Sequence, residues 1–339
     1  MPIYHLTLRG PLHIGEAVGI DREAVLDWMP SDSLFSALVA AWAEFGADVP
    51  ARLAAFQSGE PPFRLTSAFP WAAGIRFYPK PELFPQFAGL KGKKAKKVRW
   101  LSAGVVAQLC EGIAPKTEAE LLLHHGAVWV MPNERQNIPD QLLDLEGQPR
   151  LWQTYVVPRV TVDRASNSSN LFNAGRVSYA AEGGLWFAAR GRETHWVSEA
   201  LTILADSGLG GLRNYGHGAF EVKEISEDLP EANAEAGFLL ARYAPTSASE
   251  IESTLQAKNS LYRLVTVGGW SDDDAGQGWR RRAVRLVAEG ALFSDPSAAR
   301  GQLVEVQPRD VPQFKDRKVY RYGVPFFIPA GRMFEEVEA

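Results

Sequence analysis

The 339-residue chain has a single cysteine, Cys110. That excludes an intramolecular disulfide and a cysteine-cluster metal site, and it fits a reducing cytoplasm. No run approaches about 18 uninterrupted apolar residues, so no membrane span is expected. The opening Met-Pro-Ile-Tyr-His-Leu-Thr-Leu-Arg lacks the apolar stretch of a signal peptide. No short-period repeat is present. An excess of cations is missing as well: 36 Lys and Arg against 40 Asp and Glu leave a net charge of −4, whereas a free nucleic-acid binder is usually basic. None of the six histidines (His5, His13, His124, His125, His195, His217) has a partner at the helical i, i+4 spacing of a metal pair. No metal or other cofactor is expected.

What is present is an ordinary globular composition, 46% hydrophobic and 22% charged, with a length for which two domains are the expectation. The cations are segregated. Lys91, Lys93, Lys94, Lys96, Lys97 and Arg99 lie between Gly89 and Trp100 with no acid among them, and removing those six charges from the net −4 leaves −10 on the rest of the chain. Such a basic loop (residues 89–100) suits a local polyanion contact, or else a flexible solvated segment.

Ile3–Arg9 alternates and predicts a first strand. Ser31-Asp32-Ser33 can cap a helix whose buried face is Leu34, Leu38, Ala41 and Phe45, widened by Phe35, Val39 and Trp42, with Gly46 as its stop. Val98–Pro149 is poorly legible. Val156–Asp163 and Val177–Ala189 predict two strands around a polar tip, Ala165–Gly175, forming a hairpin arm over 156–189. Ser198–Asp206 predicts a second helix stopped by Gly208, and Ala219–Ile225 a further strand. Glu227–Glu235, with Pro230, is the expected linker. Beyond it Phe238–Tyr243, Ser249–Leu255, Leu261–Val267 and Ala283–Glu289 give a β-α-β-β order, and Val319–Ile328 closes the chain. The expected fold is α+β: two tandem ferredoxin-like, RRM-like βαββαβ units with insertions, an N-terminal domain over 1–228 and a C-terminal one over 236–339.

Gly208-Leu-Gly-Gly-Leu-Arg-Asn-Tyr-Gly-His-Gly218 holds five glycines in eleven residues. Glycines let backbone N–H groups approach a phosphate, Arg213 offers a charged fork, Asn214 an amide and Tyr215 a stacking face. Gly211 and Gly216 have the Walker spacing, but His217-Gly218 replaces the Lys-Ser/Thr that binds phosphate and magnesium, and the loop follows a helix where that motif precedes one. Nucleotide hydrolysis is excluded. A glycine-rich turn without a ligand is the alternative. A second constellation, Pro158-Arg-Val-Thr-Val-Asp163-Arg164, puts Arg159, Thr161 and Asp163 on one strand face and Arg164 at the base of the arm tip. Arg164 could reach a backbone phosphate, or an Arg–Asp pair could simply fix the hairpin.

His13-Ile-Gly-Glu16 ahead of Ser31-Asp-Ser-Leu-Phe-Ser-Ala-Leu38, then Arg159-Val-Thr-Val-Asp163-Arg164 followed by Ser/Asn and Phe172, then Gly208–Gly218, is similar in content and order to CRISPR-associated RAMP proteins. The match is to the family of fourth subunits of type III-A (Csm) interference complexes, supported by the Lys-Pro region near Tyr78. It is strongest over residues 1–225. The resemblance implies an antiviral-defence subunit without catalytic activity that binds the 5′ handle of CRISPR RNA, docks the large polymerase-like subunit and abuts a neighbouring RAMP backbone subunit in a hetero-oligomeric, cytoplasmic ribonucleoprotein. Carried over by motif, Gly208, Gly210, Gly211, Arg213, Asn214, Tyr215, Gly216 and Gly218 are handle-binding candidates. Arg159, Arg164 and the arm tip become a thumb pressing between RNA nucleotides, Lys91, Lys93, Lys94, Lys96 and Lys97 further RNA contacts. Ser31 and Ser33 could hold a phosphate through helix N–H groups; Asp32 is expected as an N-cap.

Metal-free RNA cleavage needs a general acid and base around one 2′-OH. Only His13 and His217, with Tyr215 nearby, lie in loops that this fold would bring to one face. A RAMP-type CRISPR RNA-processing endoribonuclease is therefore the alternative activity. His5 is expected as a core or sheet histidine, and Asp21 and Asp27 as structural or solvent-facing. A protein-only scaffold would suit the acidic balance but leave the glycine segment and the lysine run without a role.

Overall fold

The computed structural model describes residues 1–15, 24–82, 92–113, 115–139, 142, 150–162, 168–226, 229, 236–273, 275–315 and 317–331. The chain opens with β1 (Pro2–Leu8), α1 (Ser31–Glu44) and α2 (Val49–Gln57). α1 forms where apolar side chains recur at helical spacing: Leu34, Phe35, Leu38, Ala41 and Trp42 are all buried. Gly46, at φ 78°, lies just beyond it in the left-handed region that stops helices. α2 starts at Asp48, whose carboxylate accepts the Ala51 N–H.

Short elements follow: β2 (Phe63–Leu65), β3 (Phe69–Ala72), β4 (Ile75–Pro79), α3 (Gly92–Lys97), β5 (Trp100–Ser102), α4 (Ala103–Cys110), β6 (Leu122–Leu123), β7 (Val128–Trp129) and α5 (Pro132–Gln136). Then come the long strands β8 (Trp152–Val162), β9 (Ser169–Tyr179) and β10 (Gly183–Gly191), α6 (His195–Ser207) and β11 (Phe220–Ser226). The main sheet runs β11-β1-β10-β3-β4-β5-β7-β6, with β2 also on β10. Its first four strands each run antiparallel to their neighbours, with α1 following the first in sequence and α6 preceding the last. That is the strand order of a βαββαβ unit.

β10 explains why the sheet is covered on both faces. Leu185, Phe187 and Ala189 belong to the core with α1 and α6, while Trp186 and Ala188 belong to a second core with β4, β5 and α4. Alternation with both parities apolar is what a central strand requires.

The second half contains β12 (Gly237–Leu239), α7 (Ala248–Thr254), β13 (Leu264–Val267), β14 (Trp270–Asp272), β15 (Gly278–Arg280), β16 (Val284–Val287), β17 (Leu292–Phe293), β18 (Gln302–Glu305), β19 (Tyr320–Gly323) and β20 (Phe327–Pro329). Its sheets are small, β17-β12-β20 and three two-stranded ribbons, β13-β16, β14-β15 and β18-β19. Bridges Tyr243↔Val287 and Leu261↔Leu292 join these pieces. Among the described residues, however, the β18-β19 ribbon stands where a second helix was expected. Apolar residues of this half, such as Phe238, Leu240, Phe326 and Tyr322, complete both N-terminal cores. The expected linker lies, apart from Leu229, outside the described residues.

Three expectations need correcting. The second arm strand is Ser169–Tyr179, paired from Trp152↔Tyr179 to Val162↔Ser169; Gly183–Gly191 is instead the buried β10. Lysines 93–97 sit on a short helix rather than in an open loop, because Ala95 and Val98 are drawn into the core. Asp32 is not a cap. It is fully buried and accepts from Arg242 Nη1 at 2.9 Å and Arg321 Nη1 at 2.8 Å. The helix cap is Pro30, with no side-chain hydrogen bond. His5 is a sheet histidine as expected: it is buried on β1 against Trp71, ring centroids 4.6 Å apart.

Asp32→Ala would leave two largely buried guanidinium groups without their counter-ion, a loss of about 3–5 kcal/mol. A urea unfolding midpoint equal to that of the wild type would refute this.

Burial, together with Arg76 and Lys223, lowers His5 to about 4, and burial lowers His124 likewise to about 4, from an ordinary 6.5. The unfolded chain binds these protons below about 6.5 and the fold only below about 4, so stability falls as pH drops through that window. The urea midpoint should be lower at pH 5 than at pH 7, and the difference smaller in His5→Gln.

Candidate nucleic-acid interface

α6 ends on Gly208 at φ 84°, whose N–H donates to Leu204 O at 2.8 Å. The chain then folds back on itself: Leu209 N–H donates to Gly218 O at 2.9 Å, Gly218 N–H to Pro11 O at 2.9 Å, and Gly211 N–H to His13 O at 2.8 Å. The glycine segment is thereby stitched to the loop after β1. That loop is in turn stitched to the arm, since Leu12 and Val177 exchange backbone hydrogen bonds of 2.8 Å and His13 Nδ1 lies 2.6 Å from Gly175 O.

The glycines answer to this packing. A Cβ on Gly218 (φ 79°) would lie 2.0 Å from Leu209 O, one on Gly210 (φ 80°) 2.4 Å from His13 O, one on Gly208 2.6 Å from His217 O, and one on Gly211 2.8 Å from the His13 ring. Only Gly216 opens onto free space. An open cradle of amides is therefore not what the segment provides: the N–H groups of Gly208, Gly211, Gly216 and Gly218 all donate to backbone carbonyls. What it presents is a short 3-10 turn, Arg213–Tyr215, with Arg213, Asn214 and Tyr215 exposed.

Tyr215 is 57% exposed, and the Arg159 guanidinium of β8 lies 5.1 Å from its ring centroid. One strand-turn further down the arm, Arg176 covers the Tyr155 ring at 4.4 Å, as their direct pairing in the ladder dictates. The glycine segment and the arm thus share one cationic, aromatic surface, the combination that grips single-stranded nucleic acid by phosphate and base stacking. Arg176 carries no signal in the sequence until the arm register is known. Arg164, Asp163 and the arm tip at 163–167 lie outside the described residues, as do Lys91 and Asp21.

Lys93, Lys94, Lys96 and Lys97 are exposed on α3. Arg99 is engaged, with Nη2 3.1 Å from Asp27 Oδ1. Asp27 is buried and structural, also accepting from the indoles of Trp100 and Trp152 at 3.1 Å each. Ser31 is not a phosphate site. It is fully buried, its N–H donates to Ser67 Oγ at 2.8 Å, and its Oγ accepts from Arg242 N. Ser33 N–H donates to Pro30 O, and the Arg242–Asp32–Arg321 cluster covers this helix end.

His13 and His217 do meet beside this surface. His217 is 3% exposed with Nδ1 unpartnered, and burial, with Arg159, Arg176 and His13, lowers its affinity for a proton. One ring nitrogen of His13 already faces a carbonyl. That leaves a hidden imidazole and a tethered one. Among the described residues no three His, Cys, Asp or Glu side chains gather as a metal site, and no helix is long and apolar enough to cross a membrane.

A family profile described as the CRISPR Csm4 C-terminal domain matches residues 232–330. Csm4 of Streptococcus thermophilus is 25% identical over 311 residues, covering 88% of this chain and 89% of that protein. Csm4 of Thermococcus onnurineus is 26% identical over 238 residues, covering 69% and 71%. The chain is Csm4-like over most of its length. The fold agrees: a chain of the crystallised Csm3–Csm4 subcomplex of a type III-A CRISPR-Cas interference complex superposes with TM-score 0.67 at 18% identity, over 97% of this chain and 99% of that one. A chain of the Csm1–Csm4 cassette crystallised with pppApA gives 0.57 at 17% identity over 96% of each. The glycine segment and the arm thus lie on a fold shared with components of Csm complexes.

Substitutions should separate loop shape from loop chemistry. Gly216→Ala should fold with a loss of about 1–2 kcal/mol from its left-handed backbone. Gly218→Ala should lower Tm several times further, and equal Tm values for the two would contradict the packing described.

Proposed function

We propose that the chain is a non-catalytic RNA-binding subunit of a type III-A CRISPR effector complex, holding the 5′ handle of CRISPR RNA. The observation that carries this is the Arg159–Tyr215 stack, which joins the exposed turn of the glycine segment to the arm in one cationic, aromatic surface. In this role Arg213, Arg159 and Arg164 meet phosphates, Asn214 and Tyr215 meet bases, and Gly208, Gly210, Gly211, Gly216 and Gly218 act by shaping the loop. Lys93, Lys94, Lys96 and Lys97, with Lys91, add sequence-independent attraction. Docking of the large polymerase-like subunit, contact with a neighbouring RAMP backbone subunit and a cytoplasmic setting belong to the same proposal. They draw support from the Csm3 and Csm1 partners with which the fold neighbours were crystallised. Two βαββαβ units, the second lacking a helix, are the matching architectural proposal.

Against RNA cleavage stands the state of the two histidines: neither is placed as an exposed acid–base pair. The purified chain should leave RNA uncut with or without magnesium; product that vanishes in His13→Ala or His217→Ala would reverse this assignment.

Tyr215→Ala should weaken binding of a short handle-sequence RNA by about tenfold, as expected for one lost base stack. Arg213→Ala should lower the slope of log affinity against log salt by about 1. RNA retention unchanged in both variants, measured by filter binding, would remove the glycine segment from the interface.

A further inference from the structure

A cleft of about 320 Å³ opens at the root of the arm. Its floor is the Asp27 carboxylate, already satisfied by Arg99 and the Trp100 and Trp152 indoles. The His124 ring lies on Trp152, centroids 4.6 Å apart, and both indoles are buried. Neither indole leaves an open face for a base to stack on. Toward the opening the lining is a set of donors: the Arg99 and Arg150 guanidinium groups, the His125 imidazole, the Gln153 amide and the Thr154 hydroxyl.

The wall of this cleft is strained. His124, His125 and Gly126 take φ values of 51°, 55° and 93° in succession, a left-handed run that is unfavourable for the two residues carrying a Cβ. It is held by Ala127 N–H on His124 O at 3.1 Å and by Leu151 N–H on His124 Nε2 at 3.1 Å. Over-determined strain of this kind gathers at ligand clamps. Here it turns the exposed His125 onto the cleft. The lysine helix abuts the same turn, since Lys97 Cδ lies 3.8 Å from where a Cβ on Gly126 would stand. The arm itself links the cleft to the first surface. Gln153 and Arg159 lie on the same strand, six residues and so about 20 Å apart.

We propose that this cleft holds one sugar–phosphate unit of the same RNA, gripping its backbone without reading its base; this rests on the RNA-binding role above. Guanidinium forks suit the phosphate, and the amide and hydroxyl suit a ribose 2′-OH. Recognition of this kind is indifferent to sequence and sensitive to salt.

The test is fluorescence anisotropy of two unrelated short RNAs over a potassium chloride series, using the full chain, Arg150→Gln, Thr154→Glu and Arg213→Ala. Arg150→Gln should lose several-fold affinity equally for both RNAs, and its salt slope should fall by about 1. Thr154→Glu, an exposed change that spares folding, should weaken binding in the same uniform way. Unchanged affinity and slope in both cleft variants, with Arg213→Ala still defective, would overturn the cleft while sparing the glycine segment. A defect in none of the three would remove the RNA reading itself. Unchanged RNA binding together with lost co-assembly with a neighbouring protein subunit would likewise overturn the cleft, assigning it to a protein contact.

Discussion

Asp32 is the constraint around which the two halves are arranged. A carboxylate with no exposed surface is tolerated only where cations and donors meet it, and its partners, Arg242 and Arg321, come from the second half of the chain. The cluster spreads further. Arg242 Nε lies 3.7 Å from Glu289, which accepts from Ser67 Oγ at 2.5 Å, and burial pushes the Glu289 carboxyl up while Arg242 holds it down. Removing any member exposes the others to an apolar surrounding. The start of α1, the β2–β3 turn and both ends of the C-terminal half are thereby held in one geometry, with both hydrophobic cores crossing between the halves.

The surface proposed to face RNA depends on that frame at one remove. β1 sits between β11 and β10 in the sheet, the loop after it reaches under the glycine segment, and the arm is stitched to the same loop through Leu12 and Val177. Glycine is needed here because three pieces of backbone pass closer than a Cβ allows. Their crowding pushes the Arg213–Tyr215 turn outward, where its charge and ring are free to act. A net charge of −4 is compatible with this because the cations are local: Arg159, Arg176 and Arg213 on one surface, the lysines of α3 beside the root of the arm.

Much of the first unit was legible. Period-2 alternation located β1 and β11, apolar spacing located α1 and α6, and Gly46 and Gly208 marked their ends. The arm was legible as an arm but not in register. Val177–Ala189 is apolar and long enough to be a single strand, and only the pairing of Tyr179 with Trp152 and the turn at 180–182 split it into β9 and β10. The segment from Val98 to Pro149 was opaque because its strands are two or three residues long, too short for any period to declare itself.

Local patterns by themselves determined the buried face of α1 as far as Trp42, the stops after α1 and α6, and that Arg213, Tyr215 and the lysine run are the available chemistry. Each of those depends on neighbours within a few positions. The tertiary structure alone decided which polar groups would be covered. Ser31 and Asp32 read as a helix cap and a phosphate site until two arginines some 210 and 289 positions away closed over them. The glycines read as a cradle until the loop after β1 came to lie against them. Both outcomes rest on long-range contact, which no local spacing encodes.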